Sequence, residues 1–347
     1  MREKPSAKFN IRIRQYTAVL LCLALMLSTC LCVPVSAATF SGRQWYLSDI
    51  GLDDVSDDLR FQAAKPVVIA VIDTGLDPDH PAFTDSLWTN AAELNGSEGI
   101  DDDGNGYIDD IHGFNVKAGN GNITDTAGHG THVSGIIAMK PTSLDDEATG
   151  VFPAAKIMTV KAADTTNGFS SANLIKAVNY AIDNHADIIN MSVGAGLCSD
   201  EFRECLQNAS KKALIVGAAG NSGMPIKESW MKDGENMFPA VLPEVLGIMA
   251  SSMAGEKASF SNYDTSPGTE LDYELIAPGE GIYSTYIKTK NTNYYSQLSG
   301  TSMATPIASA AAGILLNEWH RCFPDNERAW KPVYLKKSLA KGTVSAI

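Results

Sequence analysis

The chain of 347 residues is poor in positive charge. It carries 27 Lys and Arg against 40 Asp and Glu, which gives a formal net charge of -13 at pH 7. Nucleic acids and anionic membrane surfaces attract basic proteins, so this balance argues against both as partners. Charged residues make up 19% of the chain and hydrophobic residues 44%. That composition is typical of a globular protein with a well-buried core.

Cysteine is also scarce. The chain has six, and three of them (Cys22, Cys30 and Cys32) lie within the first 38 residues. The three that follow are an odd number, which excludes a framework of paired disulfides. Cys198 and Cys205 could still close a small loop in an oxidising compartment, and the sequence leaves that bridge open.

Linkers are missing as well. Residues 40–347 contain no tract rich in proline, glycine or serine, no repeat and no low-complexity segment, so one domain over residues 39–347 is the simpler interpretation. Strands are predicted over residues 67–72, 157–160, 188–191, 214–218 and 246–250, and helices over residues 129–139, 171–184, 201–212 and 302–319. This alternation predicts an α/β fold, a three-layer sandwich with a mostly parallel central sheet and helices on both faces.

The first 38 residues differ from the rest. Basic residues between Arg2 and Arg14 precede an almost uninterrupted apolar run over residues 16–33, and small residues follow at 35–38. This order is typical of a secretory signal peptide. It predicts a secreted protein that has no stable association with a membrane once residues 1–38 are removed. The alternative is an uncleaved N-terminal membrane anchor.

Three short segments carry candidate catalytic residues. Residues 71–75 read VIDTG, residues 128–135 read GHGTHVSG, and residues 300–306 read GTSMATP. They place Asp73, His129 and Ser302 in the order Asp, His, Ser, which is one of the known orders of a catalytic triad. Asp-Thr-Gly is also the signature of aspartic proteases, but their chemistry needs two such carboxylates and no second copy is present.

Each candidate has the local structure that its role needs. Asp73 ends an apolar strand, at the sheet edge where open α/β folds place their sites. His129 lies between two glycines at a predicted helix start and is the candidate general base. His132 competes for that role, although its position suggests that it points into the helix packing. A zinc site on this histidine pair is disfavoured because the His-Glu-x-x-His pattern is absent.

Ser302 is predicted at a helix N-terminus, where free N–H groups and the helix dipole favour a developing negative charge. Pro306 is expected within the first turn of that helix. Asn221 follows the apolar run 214–218 and can donate a hydrogen bond to an oxyanion. A turn role for Asn221 is the alternative.

Together these motifs resemble the subtilase family of serine peptidases over about residues 45–339. Further matching segments are residues 188–194, 238–240, 258–263 and 277–279. The resemblance implies a serine endopeptidase acting on protein or peptide substrates, expected as a monomer without an organic cofactor. It also implies substrate contacts from two walls of the S1 pocket and from one strand edge: Ser192, Val193 and Gly194; Ala218, Ala219 and Gly220; Gly168, Phe169 and Ser170. The pocket floor is expected within residues 223–237.

An acidic segment between Asp73 and His129 has the spacing of a calcium-binding loop. The candidate oxygen ligands are Asp101, Asp103, Asn105, the Tyr107 carbonyl and Asp109. Gly106 supplies the sharp turn, but His112 stands where such loops carry a bidentate glutamate. Calcium is therefore predicted, with a solvated acidic turn as the alternative.

Two further features depart from the family. Ala82 stands where many subtilases carry an aspartate ligand of a calcium site, so that site is expected to be absent. The predicted cleavage point also leaves no room for the usual inhibitory propeptide before Asp73. We therefore expect a domain that folds unaided or with calcium, and a C-terminus shorter than the family pattern.

Overall fold

The computed structural model describes residues 42–145, 147–194, 198–226, 237–264, 273–290, 293–325 and 331–342. Seven strands form one sheet in the order β2-β3-β1-β4-β5-β6-β7, and every neighbouring pair is parallel. Two more strands, β8 and β9, form an antiparallel hairpin. The strands are β1 Val68–Asp73, β2 Gly113–Asn115, β3 Lys156–Lys161, β4 Ile188–Met191, β5 Leu214–Ala218, β6 Val245–Ser251, β7 Leu275–Pro278, β8 Ile282–Thr285 and β9 Tyr295–Leu298.

Helices cover both faces of the sheet. They are α1 Trp45–Asp49, α2 Asp57–Phe61, α3 Ala91–Leu94, α4 His129–Ala138, α5 Ser171–Asp183, α6 Asp200–Ala209, α7 Thr301–Cys322 and α8 Pro332–Gly342, with short 3-10 turns at Gly42–Gln44, Leu52–Asp54 and Pro81–Phe83. Parallel strands need crossover connections, and the helices that make them become the outer layers. The result is the predicted three-layer α/β sandwich.

The sheet separates two hydrophobic cores. Side chains alternate across β1, so Ile69 and Val71 pack with α4 and α7 in one core, while Ala70 and Ile72 pack with α5 and α6 in the other. Both faces are covered, which explains why β1 is buried over its whole length. This burial holds the carboxyl ends of β1, β4 and β5 in fixed positions beside one another.

The nine elements predicted from sequence are confirmed, with ends that differ by at most three residues. Strands β2, β7, β8 and β9, each three or four residues long, were not predicted. No helix in the described part of the chain is both long and apolar enough to cross a membrane. Residues 1–38, predicted as a signal peptide, lie outside the described residues.

Candidate active site

Asp73 and His129 form a hydrogen-bonded pair. Asp73 is the last residue of β1 and is fully buried, and His129 is the first residue of α4. The Nδ1 of His129 donates to Oδ1 of Asp73 at 2.7 Å. This bond places the proton on Nδ1 and leaves Nε2 as an acceptor. Burial lowers the pKa of His129, but the charge and hydrogen bond of Asp73, with a smaller effect of Asp125, outweigh burial and hold the pKa above its ordinary value.

Asp125 organises the loop around this pair. Its buried carboxylate accepts five hydrogen bonds of 2.8–3.0 Å, from Thr74 Oγ1, the N–H groups of Ala127, Gly128 and Thr131, and Thr131 Oγ1. Helix α4 has no side-chain cap from its own N-cap residue, Gly128. Asp125 therefore performs the capping, and its negative charge is placed where the helix dipole favours it.

Thr74 connects the capping carboxylate to the catalytic pair. Its hydroxyl donates to Asp125 and accepts from the N–H of Gly130 at 3.0 Å. Its own N–H donates to Oδ1 of Asp73 at 2.7 Å. The end of β1 and the start of α4 are thus joined by a continuous set of hydrogen bonds, which fixes the distance between the carboxylate and the imidazole.

Ser302 lies in the first turn of α7, as predicted, but Pro306 is the sixth residue of that helix and not part of its first turn. Proline has no N–H, so the Ser302 carbonyl four residues earlier loses its helical donor. The Ser192 hydroxyl replaces it and donates to the Ser302 carbonyl at 2.8 Å. In return, Ser302 Oγ donates to the Ser192 carbonyl at 3.0 Å. Because Pro306 leaves the Ser302 carbonyl without a helical donor, Ser192 can bond to it, and this attaches the end of β4 to the candidate nucleophile.

Asn221 is oriented by Thr301. Its Oδ1 accepts from the N–H of Thr301 at 2.9 Å and from the Thr301 hydroxyl at 3.0 Å. A Cβ at Gly300 would lie 3.3 Å from Asn221 Nδ2 and 3.7 Å from both Asn221 Oδ1 and the N of Ser302, so the Asn221 amide lies next to the start of α7. The N–H of Ser302 belongs to the helix start, which leaves such groups without intrahelical acceptors. Asn221 Nδ2 and the Ser302 N–H are therefore the candidate donors for an oxyanion.

The two predicted pocket walls lie side by side. Ser192, Val193 and Gly194 continue from β4, while Ala218 ends β5 and Ala219 and Gly220 continue from it. Strands β4 and β5 are paired with Met191 opposite Gly217. Both walls therefore begin at the carboxyl ends of their strands, one residue after the paired residues Met191 and Gly217.

The third predicted substrate segment precedes α5. Ser170 is the N-cap of that helix, and its hydroxyl accepts from the N–H of Asn173 at 3.2 Å. The Ser170 carbonyl accepts from the N–H of Leu174. Phe169 is partly buried against the core, and Gly168 is exposed. The hydroxyl and carbonyl of Ser170 are thus both bonded to N–H groups of the helix. Binding of the substrate backbone along Gly168, Phe169 and Ser170 stays a prediction.

His132 has a structural position. It is fully buried, and its Nε2 lies 3.1 Å from the Ile282 carbonyl and 3.2 Å from the Ser296 carbonyl, both in the β8–β9 hairpin. Burial, reinforced by the charge of His129, lowers its pKa to about 3. His132 therefore stays neutral and attaches the hairpin to α4, which leaves His129 as the candidate base.

The acidic loop brings together some of the predicted calcium ligands. Ligand atoms of Asp101, Asp103 and Glu93 lie within 4.8 Å of one another. Glu93, from α3, is buried and accepts from the N–H groups of Asp102 and Asp109. Glu93 therefore adds a third carboxylate to the cluster from outside the loop, which has His112 in the position where such loops carry a glutamate.

Two of the other predicted ligands, Asn105 and Asp109, accept hydrogen bonds from backbone N–H groups. Asn105 Oδ1 accepts from the N–H of Tyr107 at 2.7 Å, and both carboxylate oxygens of Asp109 accept from the N–H of Gly99 at 3.0 Å. His112 lies away from the cluster, with Nδ1 at 2.9 Å from the Trp88 carbonyl.

The cysteine bridge left open by the sequence is not formed. Cys198 and Cys205 are free thiols, and each lies 3.5 Å from an oxygen, the Ser199 carbonyl and Asn179 Oδ1 respectively. Burial raises the pKa of both thiols, which keeps them protonated near neutral pH.

Sequence reasoning missed several residues at this site. Lys161, at the end of β3, is buried and donates to the carbonyls of Thr74 and Thr124 at 2.6 and 3.0 Å, so it fixes the turn after Asp73 from behind. Asp125 could have been found as an acidic residue just before a helix start. Lys161 carries no local signal because its partners, Thr74 and Thr124, are distant in sequence. Glu93 lies outside the loop whose ligand spacing can be recognised.

Comparisons with known proteins agree with this geometry. A model of the subtilase family matches residues 64–341. The chain is 33% identical to subtilisin-like protease 1 of Plasmodium berghei over 288 residues, which are 80% of this chain and 47% of that protein. It is 34% identical to the major intracellular serine protease of Bacillus subtilis over 253 residues, 72% of this chain and 68% of that protein. The chain thus spans about half to two thirds of the length of these relatives.

A solved structure shares the fold. It is described as a cold adapted subtilisin-like serine proteinase, with a TM-score of 0.60 and 24% identity over 82% of this chain and 86% of the other.

Proposed function

The chain belongs to the subtilase family, and from this premise we propose that it is a secreted serine endopeptidase that hydrolyses peptide bonds through an acyl-enzyme formed on Ser302. The observation that supports the proposal is that His129, hydrogen-bonded to Asp73 at the end of β1, and Ser302 lie at the starts of α4 and α7, two helices that pack against each other. His129 is held by Asp73 at 2.7 Å. Ser302 and Asn221 are both attached to the start of α7.

The proposed reaction starts from a neutral His129 that carries its proton on Nδ1 and can accept another on Nε2. Ser302 Oγ turns from the Ser192 carbonyl toward His129 and attacks the carbonyl carbon of the scissile bond, while its proton passes to Nε2 of His129. The imidazolium is stabilised by Asp73, and the oxyanion by Asn221 Nδ2 and the Ser302 N–H. His129 then gives the proton to the leaving amine, and the C–N bond breaks. Water then attacks the acyl-enzyme in the same way, with His129 accepting its proton and returning it to Ser302 Oγ, and the carboxylic acid product is released.

Hydrolysis of an unfolded protein substrate tests this function. The purified protein should cleave it, and Ser302→Ala should reduce the rate by several orders of magnitude with unchanged circular dichroism. Ser171→Ala, at the exposed start of α5, serves as the control and should keep full activity. A folded Ser302→Ala variant that cleaves as fast as the wild type would contradict the proposal.

We propose that Ca²⁺ binds at Glu93, Asp101 and Asp103. The donor set fits, because three carboxylates supply the hard oxygen ligands that calcium prefers. Their ligand atoms lie within 4.8 Å, so their negative charges repel one another unless a cation compensates them. When bound, the ion supplies structural stability to the loop and takes no part in catalysis.

The calcium increment of the melting temperature tests that site. Calcium should raise Tm above the value in a chelator for the wild type, and Glu93→Gln should lose most of that increase. Glu98→Gln removes one exposed charge nearby and should retain it. Comparing increments is necessary because Glu93 also accepts two backbone hydrogen bonds, so its replacement lowers Tm by itself. Equal increments in the wild type and Glu93→Gln would exclude Glu93.

The signal-like segment supports secretion after removal of residues 1–38, with a membrane-anchored form as the alternative. We further propose that the enzyme acts on proteins or peptides as a monomer. N-terminal sequencing of protein from the culture medium, together with its mass in solution, tests these points. A protein that stays with membranes and begins before residue 38 would favour the anchor.

A further inference from the structure

Met237 lies between the two walls of the pocket beside Ser302. We propose that its side chain fills the inner part of this slot, so that the enzyme accepts only small side chains at P1, the substrate residue whose carbonyl is attacked. The inference rests on the proposed peptidase function and names the class of substrate that this same site takes.

The contacts of two glycines locate the methionine. A Cβ at Gly194 would overlap Sδ of Met237 and lie 2.7 Å from its Cγ. A Cβ at Gly220 would lie 2.8 Å from Cε of Met237 and 3.2 Å from its Cγ. Carbon atoms in ordinary contact are about 3.5–4.0 Å apart. The thioether chain therefore lies directly against both backbones, and the gap between the walls is one side chain wide.

The walls connect this gap to the reacting atoms. Ser192, two residues before Gly194, exchanges two hydrogen bonds with Ser302 at 2.8 and 3.0 Å. Gly220 immediately precedes Asn221 and donates from its N–H to the Thr301 hydroxyl at 3.0 Å. The P1 side chain therefore enters between Gly194 and Gly220. Met237 fills the inner part of this same space.

The backbone of Met237 is held on both sides. Its N–H donates to the Tyr273 hydroxyl at 3.4 Å, and its carbonyl accepts from the N–H of Val241 at 3.2 Å. Tyr273 and the neighbouring Phe238 are each 3% exposed and belong to the core. The backbone at 237 is therefore attached to a rigid part of the fold, and only rotation of the methionine side chain could open the slot.

Asn262 bounds the same space from another direction. Its Nδ2 would lie 2.6 Å from a Cβ at Gly220 and donates to the Ala219 carbonyl at 2.8 Å. Its Oδ1 accepts from the N–H groups of Ser222 and Met224. With all these bonds made, the amide is fixed. A large P1 side chain would have to displace Met237, since Asn262 and the walls cannot move aside without breaking hydrogen bonds.

The expected preference is therefore Gly, Ala or Ser at P1. In apolar specificity pockets one methylene group changes discrimination by about 10- to 200-fold. Because methionine is flexible, we expect the lower end of that range for each large side chain. A narrow P1 requirement is also the property that would favour a protease dedicated to few substrates over a scavenging enzyme.

Paired peptide substrates test the inference. Peptides that are identical except for Ala or Phe at P1 are compared by kcat/KM with the purified protein. The wild type should prefer Ala by about ten-fold or more. Met237→Ala should raise the Phe-to-Ala ratio by about ten-fold or more, while Met237→Leu should change it little. Met253→Ala removes a methionine that is 62% exposed and should leave the ratio at its wild-type value.

A fluorophosphonate that carries no large group is used first to count active sites. If folded wild-type protein is not labelled, the peptidase function fails and this inference fails with it. If the protein is labelled but cleaves the Phe peptide as well as the Ala peptide, the P1 inference alone is overturned. An unchanged ratio in folded Met237→Ala also overturns it. If Met237→Ala does not fold, the wild-type ratio decides.

Discussion

Replacing Asp125 with asparagine should damage both stability and catalysis, because one carboxylate satisfies five donors at the start of α4. Three of them approach Oδ1: Thr74 Oγ1 and the N–H groups of Ala127 and Gly128. The N–H and hydroxyl of Thr131 approach Oδ2. Asparagine has nearly the same shape but only one oxygen, so Asp125→Asn changes the donors and acceptors without creating a cavity.

The size of the effect follows from these partners. With its oxygen toward the first three donors, the new amide presents N–H groups to Thr131, which is fully buried. The Thr131 hydroxyl already accepts from the N–H of Asp77 at 3.0 Å. The Thr131 N–H is thus left without an acceptor, which costs about 1–3 kcal/mol, and the remaining bonds lose their charge assistance. We expect a total loss of about 3–5 kcal/mol, a large part of the roughly 5–15 kcal/mol that stabilises a typical domain.

Chemical denaturation and the pH profile of kcat/KM measure the two effects separately. His129 must be neutral to accept a proton, and Asp73 holds its pKa above the ordinary value, so activity in the wild type should rise with pH through a midpoint higher than that of an unperturbed histidine. Asp125 contributes to that raised pKa. Removing its negative charge disfavours the imidazolium, so the midpoint should move to lower pH in Asp125→Asn.

Asp79→Asn is the matched control, because Asp79 is exposed and its replacement removes the same charge. It should change the free energy of unfolding by less than about 0.5 kcal/mol. A loss below about 1 kcal/mol in Asp125→Asn, with an unmoved pH midpoint, would refute the view that this carboxylate caps α4 and supports the imidazolium.

Further substitutions test other parts of the account. Asn221→Ala should lower kcat about 100-fold or more with little change in KM, as for the corresponding donor in a subtilisin; an unchanged kcat would exclude Asn221 as an oxyanion donor. Burial raises the pKa of Asp187 from 3.8 to about 6, although the Val68 N–H and His185 oppose this. A raised pKa in the folded state means that stability is full below pH 4 and falls as pH rises through 6. Asp187→Asn should therefore flatten that fall and stabilise the protein at pH 7 by up to about 3 kcal/mol, measured by denaturation at several pH values; a slope equal to the wild type would contradict it.

The fold and the positions of the three candidate catalytic residues in it were predictable because each part carries a local signal. Asp73 ends an apolar run, His129 lies between glycines at a helix start, and Ser302 opens an alanine-rich helix. Parallel pairing then brings strand ends to one edge without any further information. The family, inferred from the same motifs, is confirmed by the match over residues 64–341.

Several supporting residues were not predictable because no local pattern in the sequence points to their partners. The hydroxyl that replaces the hydrogen bond removed by Pro306 comes from Ser192, 110 residues before Ser302. Glu93 joins a loop that lies beyond its own helix. Met237 meets Gly194 and Gly220 only after the sheet is assembled. Such contacts have no periodicity in the sequence, and only the folded chain reveals them.

The location of a covalent adduct tests the central claim most directly. The purified protein is treated with a fluorophosphonate, digested and mapped by mass spectrometry, with Ser302→Ala and His129→Ala treated in parallel. The account predicts one adduct on Ser302, formed by the wild type faster at pH 8 than at pH 6, with none at this position in Ser302→Ala and far slower labelling in His129→Ala. An adduct on another residue, or no adduct on folded wild-type protein, would contradict it.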